Sequence, residues 1–266
     1  MKEVESMTTD EKTRPVGVFD SGVGGISVLK ELHRLLPHEN YVFYGDSANA
    51  PYGTRTTADV RKLSFAVVEK LLIQNIKALV IACNTATSAA VVQIRERYPE
   101  LPVVGLEPAV KPAIERYPQQ RIAVMATPLT LREEKFQKQL MRYQGQAELI
   151  PVPAPDLVEF VERGELASPA LQEYLTKLLE PLEPVSAVVL GCTHFPFARP
   201  AIRQVVGSQP WIIDGGPGAA RELQRLLNQA NLLNVQSATG HVKFYNSDSD
   251  PAKITLSEKL FAATID

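Results

Sequence analysis

The sequence has few of the features that mark secreted, membrane-spanning or nucleic-acid-binding proteins. Its 266 residues include only two cysteines, too few for a disulfide framework, and its first residues lack the apolar core of a signal peptide. We therefore expect a protein of the reducing cytoplasm. No apolar run approaches the roughly 20 residues that cross a bilayer. A net charge of −2, without a basic stripe, argues against binding to nucleic acid.

Motifs for common cofactors are also missing. The glycines at positions 22, 24 and 25 of "FDSGVGGIS" do not have the G-x-G-x-x-G spacing of a dinucleotide site. They indicate either a plain strand-to-helix turn or such a turn with exposed N–H groups that suit a carboxylate. No C-x-x-C or H-x-x-x-H pair has the spacing of metal ligands. We expect neither a metal nor an organic cofactor.

What the chain does contain is an alternation of short β-branched runs and longer amphipathic segments. This alternation is typical of an α/β fold with mostly parallel sheets and helices packed on their faces. The predicted strands form two sets of four: Val16–Asp20, Tyr41–Tyr44, Ala78–Cys83 and Val103–Leu106, then Ile122–Met125, Glu148–Val152, Ala187–Gly191 and Trp211–Asp214.

The two sets match in order and spacing. Asp20 precedes Cys83 by 63 positions, and Ala126 precedes Cys192 by 66. A proline that opens another strand follows the two cysteines after 19 and 18 residues, respectively. This register predicts two similar, pseudo-symmetric α/β domains. The expected division is a disordered tail over 1–14, a first domain over 15–106 plus 217–266, and a second domain over 107–216.

Both cysteines stand where a strand ends, in "KALVIACNTATS" and "SAVVLGCTHFPF". A lone cysteine on an apolar strand is more often a small buried hydrophobe than a reactive group, but two in matched positions favour function. The carboxyl ends of parallel strands gather functional groups, so facing domains would put one thiol on each wall of a shared cleft. Such a pair suits racemisation, in which one group removes a proton from a carbon and another delivers one to the opposite face.

Each thiol needs a neighbour that takes or returns its proton. Asp20, at the end of the first strand, is placed to serve Cys83. His194, two residues after Cys192, is placed to serve the second thiol together with an acid from the loop after "AELIPVPAP". The "NAPYGTRT" segment alone indicates an ordinary loop. With "CNTATS" and "CTH" it would line the cleft with N–H and hydroxyl groups for a small acidic substrate.

The segments "FDSGVGG", "PYG", "ACNTAT" and "GCTHFP" resemble the signature segments of cofactor-independent glutamate racemases, in the same order and with similar spacing. The resemblance runs from about Pro15 to the C-terminus. It implies two α/β domains with the active site in the cleft between them, and interconversion of L- and D-glutamate to supply D-glutamate for peptidoglycan. It further implies a thiolate/thiol pair that works without pyridoxal phosphate or metal, and a homodimer.

By this resemblance, Cys83 and Cys192 are the proton-transfer residues, with Cys83 acting on the D-enantiomer and Cys192 on the L-enantiomer. Asp20 would assist Cys83, and His194 would assist Cys192 together with a glutamate of the second domain. The implied substrate contacts are Asp20, Ser21, Tyr52, Gly53, Asn84, Thr85, Thr127, Thr193 and His194.

Three positions depart from the pattern of many family members. Ala154 stands where they have a further cysteine, and counting from it favours Glu162 as the assisting acid while leaving Glu159 open. Ala126 and Glu133 replace a glycine and a serine of the "ATPLTLREEKF" loop. These departures bear on the assisting acid and on fine substrate preference.

Other activities remain open on the sequence alone. An aspartate or hydantoin racemase of the same superfamily would use the same thiols on a different substrate. A two-domain binding protein would close over a ligand without reacting. Thiol redox chemistry would need the two sulfurs close enough to bond.

Overall fold

The computed structural model describes residues 9–132, 134–182 and 184–264. The strands are β1 (Val16–Asp20), β2 (Tyr41–Gly45), β3 (Ala78–Ile81), β4 (Val103–Gly105), β5 (Arg121–Ala126), β6 (Glu148–Pro153), β7 (Ala187–Leu190), β8 (Trp211–Asp214) and β9 (Val242–Asn246). The helices are α1 (Thr9–Thr13), α2 (Ile26–Leu35), α3 (Thr57–Ile73), α4 (Asn84–Arg97), α5 (Val110–Arg116), α6 (Pro128–Arg132), α7 (Glu134–Arg142), α8 (Leu157–Glu162), α9 (Pro169–Leu179), α10 (Arg199–Val206), α11 (Gly216–Gln229) and α12 (Pro251–Ala262).

The strands form two parallel sheets with corresponding strand orders. The first sheet runs β4-β3-β1-β2-β9 and the second runs β8-β7-β5-β6. All neighbouring strands in both sheets are parallel. When β1 to β4 are matched with β5 to β8, the two orders coincide, and β9 extends the first sheet. The predicted α/β class with pseudo-symmetric parallel sheets is confirmed.

Helices cover both faces of each sheet, as expected for buried parallel strands. In β1, Val18 packs in one core with Leu29 of α2 and Leu223 of α11, whereas the next residue, Phe19, packs in another with Val67 of α3. The second sheet has the same arrangement. Met125 of β5 shares a core with α9 and α10. Ile122 and Val124 of the same strand pack in another core with α5 and α7.

The strand ends differ slightly from the predicted ones where the chain turns into a helix. The predicted strand Ala78–Cys83 leaves the sheet after Ile81, because Cys83 is the N-cap residue of α4. The predicted strand Ala187–Gly191 likewise ends at Leu190. Both cysteines thus lie two residues beyond the carboxyl end of a strand.

Part of the expected tail over 1–14 lies within the described residues. Residues Thr9–Thr13 form α1, while 1–8 lie outside the described residues. The end of α1 is held because the Lys77 ammonium donates to the Lys12 carbonyl, and the Asn40 side chain donates to the Thr13 carbonyl at 2.9 Å. Carbonyls at a helix end need such partners.

The C-terminal region returns to the first sheet. Strand β9 pairs with β2, and α12 packs against α2 and β9. These contacts agree with the expected grouping of 217–266 with 15–106, and the domain division itself stays a prediction. Among the described residues, no helix has the length and apolar character to cross a membrane.

Candidate active site

The first thiol lies at the start of a helix. Cys83 Sγ accepts a hydrogen bond from the Ala86 N–H at 3.4 Å and contacts Ser21 Oγ at 3.6 Å. Burial raises the pKa of this thiol to about 12, and the nearby charge of Asp20 adds to the rise, against the opposing effect of the two hydrogen bonds. A helix N-terminus favours a negative charge on the sulfur. Cys83 is therefore a thiol with groups in place to stabilise its thiolate.

Asp20, at the end of β1, is completely buried beside this thiol. Its Oδ2 accepts the Gly22 N–H at 3.1 Å, and its Oδ1 accepts the Thr193 hydroxyl at 2.9 Å. Burial raises the pKa of the carboxyl, although the charge of His194 and these hydrogen bonds act in the opposite direction. A carboxyl with a raised pKa can exchange protons nearer to neutral pH than an exposed one.

The second thiol belongs to a chain of three polar groups. Cys192 Sγ lies 3.7 Å from Nδ1 of His194, and Nε2 of His194 lies 2.9 Å from Oε1 of Glu162. Burial lowers the pKa of His194, but its hydrogen bonds to Cys192 and Glu162 outweigh burial and hold the pKa well above its usual range. The imidazole is therefore charged and sits between a sulfur and a carboxylate.

Glu162 is held as a carboxylate by three donors. Its Oε1 also accepts the Val23 N–H at 2.7 Å, and its Oε2 accepts from Lys253 Nζ at 2.8 Å. Burial opposes ionisation, but His194, Lys253 and the Val23 N–H together lower the pKa of Glu162 to about 2. Glu159 points elsewhere, because its side chain is 62% exposed and pairs with Arg163 on the surface. The structure thus brings Glu162, not Glu159, to His194.

The two thiol sites meet across the two sheets. The Ser27 hydroxyl donates to the Thr193 carbonyl at 2.7 Å, in addition to the bond from Thr193 to Asp20. Thr193 directly follows Cys192, and the Asp20 that it bonds lies close enough to Cys83 for its charge to raise the pKa of that thiol. Both cysteines are free and buried. One thiol from each sheet therefore faces a common region, as the sequence predicts.

Hydroxyl groups from both halves line the same region. Thr85 Oγ1 lies 3.2 Å from Thr127 Oγ1 and 3.0 Å from Thr130 Oγ1. Gly53 lies against Thr127, since a Cβ on Gly53 would stand 2.7 Å from the Cβ of Thr127. Among the described side chains, Asn84 Oδ1 is buried and has no hydrogen-bond partner. A buried acceptor without a partner is costly unless a ligand satisfies it.

Tyr52 is oriented by a carboxylate that sequence reasoning missed. Its hydroxyl donates to Asp46 Oδ2 at 2.6 Å, and Asp46 also accepts from the Asn49 amide at 3.1 Å. Burial, followed by the hydrogen bond and charge of Asp46, raises the pKa of the Tyr52 hydroxyl. The tyrosine is therefore a neutral group fixed near Cys83.

The structure brings together all the predicted site residues and adds four more. The additional residues are Val23, Asp46, Thr130 and Lys253. Asp46 follows β2 at the carboxyl edge of the sheet, a position that could have pointed to it. Lys253 lies in the first turn of α12 and carries no local signal, because its contact depends on the path of the C-terminal chain.

The departures from the family pattern fall at buried or undescribed positions. Ala126 ends β5 and is fully buried. Ala154 is also fully buried and packs in the core of the second sheet with Leu157. Glu133 lies outside the described residues. Within the part of the chain that the structure describes, no group of three or more His, Cys, Asp or Glu side chains could hold a metal ion.

Comparison with known proteins gives matches over nearly the whole chain. Residues 16–223 match the family model described as Asp/Glu/Hydantoin racemase. A glutamate racemase of Clostridium acetobutylicum is 48% identical over 251 residues, which cover 94% of this chain and 98% of that protein.

Solved structures match equally broadly. Glutamate racemase from Francisella tularensis in complex with D-glutamate superposes with a TM-score of 0.81 at 27% identity, covering 95% of each chain. Escherichia coli glutamate racemase in complex with L-glutamate and the activator UDP-MurNAc-ala also gives a TM-score of 0.81 at 27% identity, covering 93% of this chain and 95% of that one. Sequence and fold agree, and the chain belongs to the Asp/Glu/Hydantoin racemase family.

Proposed function

We propose that this protein is a glutamate racemase that interconverts L- and D-glutamate by proton transfer between the α-carbon and two cysteines. The observation that carries this proposal is the pair of free thiols at matched strand ends, each with its own proton-exchanging neighbours. The similar proteins from Clostridium acetobutylicum, Francisella tularensis and Escherichia coli are glutamate racemases, and two of them were solved with one enantiomer of glutamate bound.

In the L-to-D direction, the Cys192 thiolate takes the α-proton and becomes a thiol. The Cys83 thiol then donates its proton to the opposite face of the carbon and becomes a thiolate. The D-to-L direction reverses both transfers, starting from a Cys83 thiolate. The proton balance closes when a proton returns from Cys192 to Cys83 between turnovers.

The neighbours of each thiol fit these roles. His194, held charged by Glu162, stabilises the Cys192 thiolate and can return its proton. Asp20 exchanges a proton with Cys83, and its raised pKa suits that exchange. Burial keeps Cys83 protonated, as a proton donor requires. The ammonium group of bound glutamate adds a positive charge that stabilises the thiolate needed in the reverse direction.

The substrate contacts that we propose are Asp20, Ser21, Tyr52, Gly53, Asn84, Thr85, Thr127, Thr193 and His194. The unpartnered Oδ1 of Asn84 suits the substrate ammonium, which needs acceptors. The hydroxyls of Thr85 and Thr127 are donors for a carboxylate. None of these contacts requires a metal or an organic cofactor.

We also propose that the enzyme supplies D-glutamate for peptidoglycan synthesis in the cytoplasm and acts as a homodimer. The cytoplasmic setting is supported by the small number of cysteines, both of which are free. The dimer and the peptidoglycan role rest on the resemblance to glutamate racemases.

Circular dichroism of L- and D-glutamate solutions tests the activity directly. We expect loss of optical signal from either enantiomer, and a much lower rate with aspartate or a hydantoin. A clear preference for aspartate or a hydantoin would instead assign the chain to a sibling activity of the family. In D₂O the product should carry deuterium at the α-carbon as it forms, and product without solvent-derived label would exclude the two-thiol mechanism.

A further inference from the structure

The second carboxylate oxygen of Glu162 is bound by a residue that no motif singles out. Lys253 Nζ donates to Glu162 Oε2 at 2.8 Å and lies 3.5 Å from the Glu162 carbonyl oxygen. Both partners are largely buried, with side-chain exposures of 21% for the lysine and 12% for the glutamate. An ion pair shielded from solvent is stronger than the usual surface pair.

The contact completes the set of donors around this carboxylate. Oε1 is shared by the Val23 N–H and the His194 ring, so those two bonds leave the Oε2 end of the group unrestrained. Lys253 binds that end and fixes the rotation of the carboxylate. The result is a continuous chain from Lys253 through Glu162 and His194 to Cys192.

The lysine and the glutamate are carried by two helices that are distant in sequence. Lys253 is carried by α12, which packs on α2 and on β9 of the first sheet. Lys30 of α2 holds the far end of α12 by donating to the carbonyls of Phe261 and Ala263, each at 2.5 Å. Glu162 ends α8, whose Leu157 packs in the core of the second sheet and whose Val161 packs in a core of the first. The ion pair therefore joins α12 to the end of α8 beside the second thiol.

We propose that Lys253 is a positioning residue for the reaction, which holds Glu162 so that His194 is presented to Cys192. It does not touch substrate and acts only through Glu162. This inference rests on the proposed two-thiol racemisation. It predicts that removing the lysine impairs proton transfer at Cys192 more than at Cys83, although both thiols take part in every turnover.

Kinetic isotope effects distinguish proton transfer at Cys192 from proton transfer at Cys83, whereas values of kcat/KM alone do not. Because the two enantiomers have equal energy, any variant must lose kcat/KM equally in both directions. The effect of α-deuteration on kcat/KM instead shows which thiol's proton transfer limits the rate. We expect Lys253→Met to lower kcat/KM about tenfold to a hundredfold, the usual effect of a lost charge-assisted hydrogen bond. The isotope effect should rise with L-glutamate, which Cys192 deprotonates, and fall with D-glutamate.

Lys30→Met provides a matched control on α2, the helix against which α12 packs. It removes an anchor of α12 without touching Glu162, so we expect a lower melting temperature and wild-type isotope effects with both enantiomers. Lys253→Arg keeps the positive charge and should restore most of the activity. Isotope effects that stay unchanged or move together in Lys253→Met, or that shift in the same way in Lys30→Met, would overturn the positioning role.

A measurement on the resting enzyme separates this inference from the proposed function. The Nε2–H proton of His194, bonded to a carboxylate, should give a downfield NMR resonance in the wild type and in Lys30→Met. We expect it to move upfield or to be lost in Lys253→Met, and an unchanged resonance would overturn the inference. If the wild type does not racemise glutamate, the proposed function fails, while this resonance still decides the role of Lys253.

Discussion

The Thr193 hydroxyl donates to Asp20 Oδ1 at 2.9 Å, which joins the residue after one thiol to the carboxylate beside the other. Thr193 follows β7 of the second sheet, and Asp20 ends β1 of the first. The bond is buried, and it lowers the pKa of Asp20 against the effect of burial. The proton affinity of Asp20 therefore depends on the contact between the two halves.

Replacing Thr193 with valine should move the acidic limb of the pH–activity profile upward. The valine removes a donor that favours the carboxylate, so the pKa of Asp20 rises further above its ordinary value. Asp20 then becomes protonated, and unable to accept the Cys83 proton, at a higher pH than in the wild type. The profile of kcat/KM against pH measures this shift. Thr193→Ser keeps the hydroxyl and should leave the acidic limb near its wild-type position. An unmoved limb in the valine variant would contradict the assisting role of Asp20.

Each cysteine should be indispensable for racemisation. Cys83→Ser and Cys192→Ser replace a thiol with a hydroxyl of similar size that ionises much less readily, so we expect losses of roughly a thousandfold or more. The double variant should be little worse than either single one, because the two groups act as a unit. Polarimetry measures the activity, and calorimetry with glutamate checks that binding survives. If a serine variant racemised glutamate at the wild-type rate, the cysteine replaced in that variant would not be a proton-transfer group. If the protein only bound its ligand without reacting, neither substitution would change its ligand binding.

The sequence predicted the placement of residues that belong to local motifs at strand ends. Cys83, Cys192 and Asp20 follow β-branched runs, and the carboxyl ends of parallel strands meet by geometry. Sequence could not separate Glu162 from Glu159, because residues three apart on a helix lie on neighbouring faces and only packing decides which one turns inward. Lys253 could not be found at all, since 91 residues separate it from Glu162 and only the return of the chain to the first sheet brings them together. The contacts of Lys77 and Asn40 with the end of α1 also carry no local signal, because these partners are distant in sequence.

Glu162→Gln should destabilise the protein in a pH-dependent way. The carboxyl has a pKa of about 2 in the folded protein and an ordinary value of 4.5, so its ionised form favours folding above about pH 4.5. That contribution, at most roughly 3 kcal/mol, declines as pH falls from 4.5 through 2. Urea unfolding at pH 7 and pH 3 should therefore show a larger difference between wild type and variant at pH 7.

Glu159→Gln is the control for this prediction. Glu159 pairs with Arg163 on the surface, where such pairs contribute little, so the change should alter stability by less than about 0.5 kcal/mol at either pH.

The two variants should also differ in activity. Glu162→Gln should lower kcat/KM about tenfold to a hundredfold through loss of a hydrogen bond to a charged group. A stability difference for Glu162→Gln that is the same at pH 3 and pH 7 would mean that folding does not lower the pKa of this carboxyl.

The close approach of Gly24 to His194 should make a single methyl group harmful. A Cβ on Gly24 would overlap the imidazole ring of His194, so an alanine there must displace the ring or separate the loop after β1 from the second sheet. Overpacking of this kind costs about 1–3 kcal/mol, which corresponds to about fivefold to a hundredfold in rate if the transition state bears it. We expect Gly24→Ala to lower kcat/KM within that range. Gly218→Ala, in α11, meets open space and should leave kcat/KM unchanged. Wild-type activity in Gly24→Ala would show that proton transfer at Cys192 does not depend on where this loop holds His194.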